Sequence, residues 1–353
     1  MKRLFTIIIV IFIANFAMSF VVSAEKRENV KSVITNRVEK VISDLNNIQA
    51  SSEFKREITK DFSVGSLPSL TIKNVFGKIK IIEGPDDKIV FKITIIGKGK
   101  NDDVARKYAE TANVDFNQNG NEISAKTVYE KINCKNCGRT VDYEVTAPKN
   151  VKLILDNKYG DVNLNNVSEP LAVKIEFGKF YANVISEIDL SIIYGGATVN
   201  KCEQMKIKSG FSKYKFGEIG SLSGKIEYDG FDIKELGSAE LSSSFSNMDI
   251  GKLRKSFNVK GFSYGSLDIR NIDADFSDIK VDASFSKVRI FFNENHNFKA
   301  TLYTSFGNIK TGRVVFYEKT LDKKDAIVGV VGKIKDPSST VNISNSYGNI
   351  NFE

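Results

Sequence analysis

The sequence predicts an all-β fold, a single-stranded parallel β-solenoid (β-helix) of about 10–11 short rungs, preceded by an N-terminal β-rich segment with one or two short helices. A motif of about 17–21 residues recurs from residue 151 to the end of the chain. Apolar and polar residues alternate on both sides of each motif centre, as in half-buried strands. No helical spacing of apolar residues appears in this part, so the repeat unit is built from strands.

Each copy of the motif centres on an aromatic residue that is followed by Gly, Ser or Asp. An outlying copy lies at Phe76, and the last gap, before Tyr347, is 41 residues long. We interpret that gap as two turns of the repeat, one of them degenerate. The repeat aromatics are Tyr159, Phe177, Tyr194, Phe211, Tyr228, Phe245, Tyr264, Phe285, Phe306 and Tyr347.

The flanks of the aromatics repeat as well. Apolar types recur three and five residues after the ring, and four and six residues before it, with Thr311 as a polar departure. Before Tyr264 this pattern slips by one residue, to Phe257 and Val259, which indicates a β-bulge. The apolar residues lie at even offsets before the ring and at odd offsets after it, which one continuous strand cannot place on a single face. We therefore expect a bend at the Gly that follows the ring.

One such unit cannot bury its own apolar face, whereas stacked units can. Stacking in one direction places equivalent residues in columns about 4.8 Å apart. We therefore expect the aromatics to stack on one another down the core. The alternative is an antiparallel meander, but its successive strands reverse direction, whereas this motif recurs with one direction and one phase.

Residues 1–24 are predicted to be a signal peptide, with Lys2 and Arg3 before an apolar run and a small-residue site ending at Ala24. The alternative is a retained membrane anchor, because the apolar run is long. No cysteine follows the run, which argues against a lipoprotein. Residues 25–60 are predicted as a helical segment or linker, with helical apolar spacing over 27–48.

Residues 61–150 are predicted as the N-terminal β-rich part, with strands in 69–96, 122–129 and 139–147, and residues 151–353 as the repeat solenoid. A short helix is expected at 101–112, capped by Asn101. Cys134 and Cys137 form a CxxC loop between β-like segments, predicted to be a small disulfide or a pair of free thiols rather than a zinc or redox site. Cys202 is predicted to be a small buried hydrophobe.

The charge pattern indicates no nucleic-acid partner. Loss of Lys2 and Arg3 with the signal would lower the formal net charge from +8 to +6. The remaining lysines are spread along the chain between apolar residues, as on a solvated sheet face. We expect weak attraction to anionic surface polymers, and no transmembrane segment after signal cleavage.

No catalytic, cofactor-binding or metal-binding residue is predicted. His296, the only histidine, lies in a polar stretch typical of a turn, and no catalytic motif surrounds it. The competing class is a β-helix polysaccharide lyase or glycosidase. Such enzymes line acidic or basic side chains along one outer groove, and a glycosidase needs two carboxylates a defined distance apart. The outward residues two positions after the rings mix Lys and Asn and contain a single Asp, Asp161, which suits a solvated face better.

Several segments resemble a known family. NKYGDVNL (157–164), SFSNMDI (244–250), TSFGNIKT (304–311), NSYGNINF (345–352) and VFGKIKIIEG (75–84) resemble the adhesin domains of bacterial envelope proteins known as DUF4097 and head-GIN. The resemblance covers about residues 60–353. It implies a secreted β-solenoid with no established enzymatic activity, and no functional residue is carried over from it.

The sequence thus favours an exported, periplasmic or surface-exposed, adhesin-like solenoid that binds or scaffolds in the cell envelope. One alternative is a periplasmic envelope-stress scaffold or sensor that binds a protein partner. The other is the lyase or glycosidase. The ligand is not predicted, and either an envelope protein or a surface polymer suits the pattern.

Overall fold

A computed structural model describes residues 52–134 and 136–353, which form one continuous β-structure with one short helix in that part of the chain. The first thirteen strands are β1 Ser52–Ser63, β2 Ser69–Val75, β3 Ile79–Glu83, β4 Lys88–Gly99, β5 Ala112–Asn119, β6 Glu122–Tyr129, β7 Gly138–Ala147, β8 Lys152–Lys158, β9 Val162–Asn163, β10 Asn166–Val167, β11 Leu171–Glu176, β12 Lys179–Ile193 and β13 Gly196–Gly210. The others are β14 Lys213–Glu227, β15 Gly230–Ser244, β16 Asn247–Ser263, β17 Ser266–Ile269, β18 Asp278–Ser284, β19 Lys287–Ile290, β20 Phe298–Thr304, β21 Ile309–Lys310, β22 Phe316–Asp322, β23 Ala326–Val331, β24 Thr340–Ser346 and β25 Ile350–Phe352.

The strands stack as rungs in two rows that meet at the repeat aromatics. The row before the ring runs β2, β8, β11, the second halves of β12 to β16, then β18. The row after the ring runs β3, β9, the first halves of β12 to β16, then β17 and β19. All of these pairings are parallel, which confirms the solenoid and excludes a meander for the repeat.

The predicted inward columns form the core. In β12, Phe180 and Ala182 face inward after the ring, and Ile188 and Leu190 face inward before the next one. Parallel register repeats this pattern from rung to rung, so like positions pack on one another. A further inward position, occupied by Ile185 in β12, lies between the two rows and was not predicted.

The register slip before Tyr264 is present as predicted. Pairing of β15 with β16 shifts between Leu236 and Ser238 and again between Ser242 and Ser244. The extra residues lengthen the rung while Phe257 and Val259 stay buried. The bulges therefore absorb the longer repeat without turning the apolar face outward.

The N-terminal end is covered by antiparallel strands. β7 lies parallel to β3 and antiparallel to β4, and β4 pairs with β1. On the other row β6 pairs parallel with β2 and antiparallel with β5. These strands cover an edge that would otherwise be open to pairing with another chain. Residues 61–150 are thus continuous with the repeat through β2 and β3.

The prediction for residues 25–60 is wrong at its C-terminal end. Residues 52–60 belong to β1, which pairs with β4 over its whole length. Exposed and half-buried residues alternate along β1, so the strand period operates where a linker was expected. The predicted signal peptide and the helical spacing at 27–48 lie outside the described residues.

The predicted helix is confirmed as α1, Asp102–Glu110. The Asn101 side chain accepts a hydrogen bond from the backbone N–H of Val104, and Asp102 and Asp103 lie in the first turn. Ala105 and Ala109 pack against β4, where a Cβ on Gly97 would clash with the α1 backbone. The part of the chain that the structure describes contains no helix that is long and apolar enough to cross a membrane.

The prediction of a degenerate turn before Tyr347 is wrong. The segment between the last two motif copies contains an antiparallel hairpin of β22 and β23, which pairs with β20. The chain then returns, and β24 inserts between β18 and β20 while β25 inserts between β19 and β21. The last segment of the chain is therefore the penultimate rung in space.

Candidate functional site: the surface ring column

The repeat aromatics stack in one line, together with Phe76. We call these eleven side chains the ring column. Neighbouring ring centroids are 4.5–5.1 Å apart, and the planes of neighbouring rings differ by 1–15°. Such spacing is that of stacked aromatic pairs. The column extends from the rung of Phe76 to the rung of Phe306.

The expectation that these rings lie in the core is wrong. None of the eleven side chains is buried. The exposed fraction is 38% for Phe211, 48% for Tyr264 and 70% for Phe306 at the end of the column. The rings stack as expected, but on an outer edge of the solenoid.

The physical reason is the backbone conformation of the ring residues themselves. Ten of the eleven have φ between 51° and 63°, the left-handed region, and Phe306 is the exception. A left-handed residue ends the strand before it and reverses the side-chain alternation, so its own side chain turns outward. The bend was predicted at the Gly after the ring, and it occurs one residue earlier.

The Gly after the ring is needed for a different reason. A Cβ on Gly178 would lie 2.1 Å from the carbonyl oxygen of Gly160 in the neighbouring rung, and one on Gly195 would lie 1.9 Å from that of Gly178. Consecutive glycines therefore let the rungs approach closely at this corner.

Where the chain has Ser at this position, the hydroxyl bonds within the corner. The Ser212 Oγ accepts from the N–H of Gly195 at 3.2 Å and donates to the Gly210 carbonyl at 2.9 Å. The Oγ of Ser286 bonds in the same way, to Gly265 and Ser284. Each hydroxyl ties two rungs together directly beneath the ring column.

Asp229 occupies this position beneath Tyr228 and is only 4% exposed. Its Oδ1 accepts from the Ser212 N–H at 2.8 Å, and its Oδ2 accepts from the Glu227 N–H at 3.1 Å. Burial raises the pKa of Asp229 to about 6, although hydrogen bonds to the carboxylate act in the opposite direction. This carboxyl is therefore a structural group with a pH-dependent charge.

Backbone strain and ring stacking act in opposite directions in the ring column. A left-handed conformation costs a non-glycine residue roughly 1–2 kcal/mol. One stacked aromatic pair contributes about 0.5–1.5 kcal/mol beyond its burial. Stacking therefore roughly offsets the backbone strain, and the area that each ring buries against its neighbours adds stability. Backbone strain of this kind is concentrated at functional positions in proteins.

His296 and the CxxC cysteines, which the sequence analysis singled out, have structural surroundings. His296 is 2% exposed; its Nδ1 accepts from the Asn293 N–H at 3.0 Å, and its Nε2 lies 3.0 Å from the Ile272 carbonyl oxygen, a pattern that suits a proton on Nε2. It pins the loop between β19 and β20 to the preceding rung. Cys134 and Cys137 are joined in a disulfide, with Cα atoms 5.7 Å apart.

Cys202 is buried at 1% exposure, in the inward column of Ile185, as predicted. Burial raises the pKa of its thiol to about 12. Within residues 52–134 and 136–353, no group of three or more His, Cys, Asp or Glu side chains is arranged to hold a metal ion. The ring column is thus the feature of the described surface that most needs a functional explanation.

The family comparison covers nearly the whole chain: the model described as Toastrack DUF4097 matches residues 34–353. No match was found among curated proteins. Similar solved structures include a "putative adhesin" of Bacteroides fragilis, with 10% identity over 84% of this chain and 97% of that one and a TM-score of 0.33. A "putative cell adhesion protein" of Clostridium sporogenes shares 10% identity over 85% of this chain and 99% of that one, with a TM-score of 0.22.

A "putative lipid binding protein" of Parabacteroides distasonis shares 10% identity over 84% of this chain and 97% of that one, with a TM-score of 0.29. At such identities and TM-scores these structures give no information on what this chain binds. The family model agrees with the family resemblance found in the motif segments. The chain belongs to the Toastrack DUF4097 family.

Proposed function

We propose that this chain is an adhesin-like binding protein of the bacterial cell envelope, that it performs no catalysis, and that the ring column is its contact surface. The observation that carries the proposal is the outward position of the rings. Ten left-handed backbones hold large aromatic side chains at the surface, although apolar side chains are ordinarily buried. A continuous exposed apolar strip of this kind is typical of an interaction site.

The column is also stiff, which suits binding. Each interior ring is held between two neighbours, and the backbone beneath the column is tied by parallel ladders and by the corner hydroxyls of Ser212, Ser246 and Ser286. A surface that is already ordered loses little conformational entropy when a partner docks.

The proposal is tested by removing rings without disturbing the backbone. Asn tolerates the left-handed region, so Phe211→Asn with Phe245→Asn removes two rings and retains the turn. The matched control is Tyr303→Asn with Tyr317→Asn, two exposed aromatics outside the column. Binding of the labelled chain to isolated envelope fragments is measured by co-sedimentation, and circular dichroism checks the fold of each variant.

We expect the column variant to bind at least about 5-fold more weakly, in line with the loss of two interface aromatics, and the control to bind as the unmodified chain does. Equal binding by all three proteins would contradict the proposal. Protease treatment of the fragments separates a polymer partner, whose binding persists, from the protein partner of a scaffold or sensor. Shortening of envelope glycans by the purified chain would overturn the non-catalytic assignment.

A further inference from the structure

The ring column has a period of two rungs. In spatial order its members are Phe76, Tyr159, Phe177, Tyr194, Phe211, Tyr228, Phe245, Tyr264, Phe285, Tyr347 and Phe306. Phenylalanine and tyrosine alternate at every step. A phenolic oxygen therefore occurs on every second rung, about 9.6 Å apart along the stack when the rung spacing is about 4.8 Å.

The crossed C-terminal topology preserves this alternation. In chain order Phe306 follows Phe285 directly, which would place two phenylalanines together. Insertion of β24 and β25 puts Tyr347 between them, with ring centroids 4.7 Å from Phe285 and 4.5 Å from Phe306. Packing does not require this order, since identical side chains stack equally well in parallel, in-register strands.

A second column shows the same period. Two residues after the ring, the Phe rungs have Lys78, Lys179, Lys213 and Lys287, with Asn at the two remaining ones. The Tyr rungs have Asp161, Gly196, Gly230, Ser266 and Asn349 at that position, and none has a lysine. The carboxylate of Asp161 accepts from the Lys179 N–H at 3.0 Å.

The four lysines are available to a partner. All four side chains are exposed, and in residues 52–134 and 136–353 none of their ammonium groups forms a salt bridge. Lys179 and Lys213 are aligned through Gly196, two rungs apart in register. The edge thus presents a cation on four of the six Phe rungs and a phenolic oxygen on every Tyr rung, one rung out of phase.

From this geometry we propose that the edge binds a linear acidic polysaccharide that carries one anionic group per disaccharide and lies along the stacking direction. This inference rests on the proposed function and names the chemical class of its partner. Ammonium groups two rungs apart face successive anionic groups. The tyrosine oxygens and the positively polarised ring edges face the hydroxyls between them.

The geometry disfavours other anionic partners. Single-stranded nucleic acids bind by stacking bases on open aromatic faces, and here each interior ring has both faces covered by its neighbours. A membrane surface presents its charges over an area, whereas these lysines form one line beside one apolar strip. A linear polymer with a matching repeat suits a linear site.

The test measures binding of the purified full chain to hyaluronan, which carries one carboxylate per disaccharide. Dextran is the neutral polymer control, and inorganic polyphosphate and phosphatidylglycerol vesicles are competing anions. The column variant is Lys78→Gln, Lys179→Gln, Lys213→Gln and Lys287→Gln together. The control changes as much charge elsewhere: Lys208→Gln, Lys234→Gln, Lys255→Gln and Lys280→Gln, at lysines that are also exposed.

We expect hyaluronan binding to fall at least ~10-fold in the column variant and less than about 2-fold in the control variant. An equal loss in both variants would show general ion exchange and overturn the proposal. Tighter lysine-dependent binding of polyphosphate or vesicles than of hyaluronan would also overturn it.

A second pair of variants tests the period itself. Asn247→Lys adds a lysine on the Phe245 rung, in phase with the others. Gly230→Lys adds one on the neighbouring Tyr228 rung, out of phase, where a Cβ meets only the Lys213 side chain at 4.0 Å. We expect only the in-phase lysine to strengthen hyaluronan binding clearly, and equal strengthening would contradict a two-rung repeat.

Failure of this inference is distinguishable from failure of the proposed function. Ring-dependent binding to envelope fragments without binding to hyaluronan would exclude the acidic polysaccharide and leave the contact surface in place. Absence of both would overturn both.

Discussion

The rings of Phe285 and Tyr347 stack with their centroids 4.7 Å apart and their planes 1° from parallel, although they lie far apart in the chain. The backbones of the same two rungs are also hydrogen-bonded: the Phe285 N–H donates to the Ser346 carbonyl at 2.7 Å. The last chain segment is thus held by the same corner hydrogen bonds as the sequential rungs. The repeat dictates which surfaces match, and chain order does not dictate which rungs become neighbours.

The crossed order of the last rungs is testable by engineered disulfides. Ser284 and Ser346 are direct partners in the pairing of β18 with β24. The double variant Ser284→Cys and Ser346→Cys should form a disulfide on mild oxidation, because neighbouring strands lie within bridging range. The readout is a shift in non-reducing electrophoresis after proteolysis.

The matched control is Ser284→Cys with Ser305→Cys, which would be neighbours if the rungs stacked in chain order. In the structure β24 lies between them, so their Cα atoms are about two strand spacings apart, beyond disulfide range. Efficient bridging in the control and none in the first pair would refute the crossed order.

A second prediction concerns the corner beneath the rings. Gly178→Val should destabilise the fold strongly, by at least about 2 kcal/mol, because its Cβ would meet the Gly160 carbonyl oxygen. Gly178→Ser places a Cβ at the same point and should also destabilise the fold, but by less, because its smaller side chain can form the corner hydrogen bonds that Ser212 forms. Urea unfolding measures both, and equal costs would show that the corner does not discriminate between these side chains.

The buried carboxyl of Asp229 predicts a pH dependence. Its pKa is raised from 3.8 to about 6 in the folded chain. The folded state therefore holds this proton more tightly than the unfolded state does. The stability that the group contributes is complete below pH 3.8, falls as pH rises towards 6, and is then constant. The whole change is about 3 kcal/mol, since one unit of pKa corresponds to about 1.4 kcal/mol.

The measurement compares unfolding free energies at pH 4 and pH 7 for the unmodified chain and for Asp229→Ser. Serine suits the corner, as Ser212 and Ser246 show in the adjacent rungs. The difference between the two proteins should shift in favour of the serine variant as pH rises. Asp232→Ser, which removes an exposed carboxyl from the same rung, is the control. A difference independent of pH would contradict the buried charge.

The sequence predicts most of the rung and little of its corner. Alternation indicates Phe180, Ala182, Ile188 and Leu190 as inward residues because burial acts on every second side chain of a strand. By the same alternation, the ring of Tyr194, two residues after Ile192, is expected to point inward. Strict alternation assumes an extended backbone at every residue. The left-handed conformation of Tyr194 breaks that assumption, so its outward position was not predicted.

The spatial order of the last rungs was also beyond the sequence pattern. A repeat shows that units can stack, and a local reading assumes that successive units are neighbours. The hairpin of β22 and β23 has the same alternating polarity as a rung, so a degenerate turn was the natural interpretation of the long gap. Alternation of Phe and Tyr was the one signal of the true order.

The central claim is that the rings are held outside the core by left-handed backbones, and two substitutions at Phe211 test it most directly. Phe211→Ala should cost about 1–3 kcal/mol, the loss of two stacked contacts and a half-exposed ring. Phe211→Gly should be less destabilising than Phe211→Ala by about 1 kcal/mol, because glycine adopts this φ without strain.

The comparison position is Phe216, which is 2% exposed in strand β14. There alanine should cost about 3–5 kcal/mol and glycine about 0.5–1 kcal/mol more. Chemical denaturation of the four variants measures the order at each position. Glycine better than alanine at Phe211 and worse at Phe216 is the predicted result. Glycine worse than alanine at both positions, with a core-sized loss at Phe211, would contradict the account.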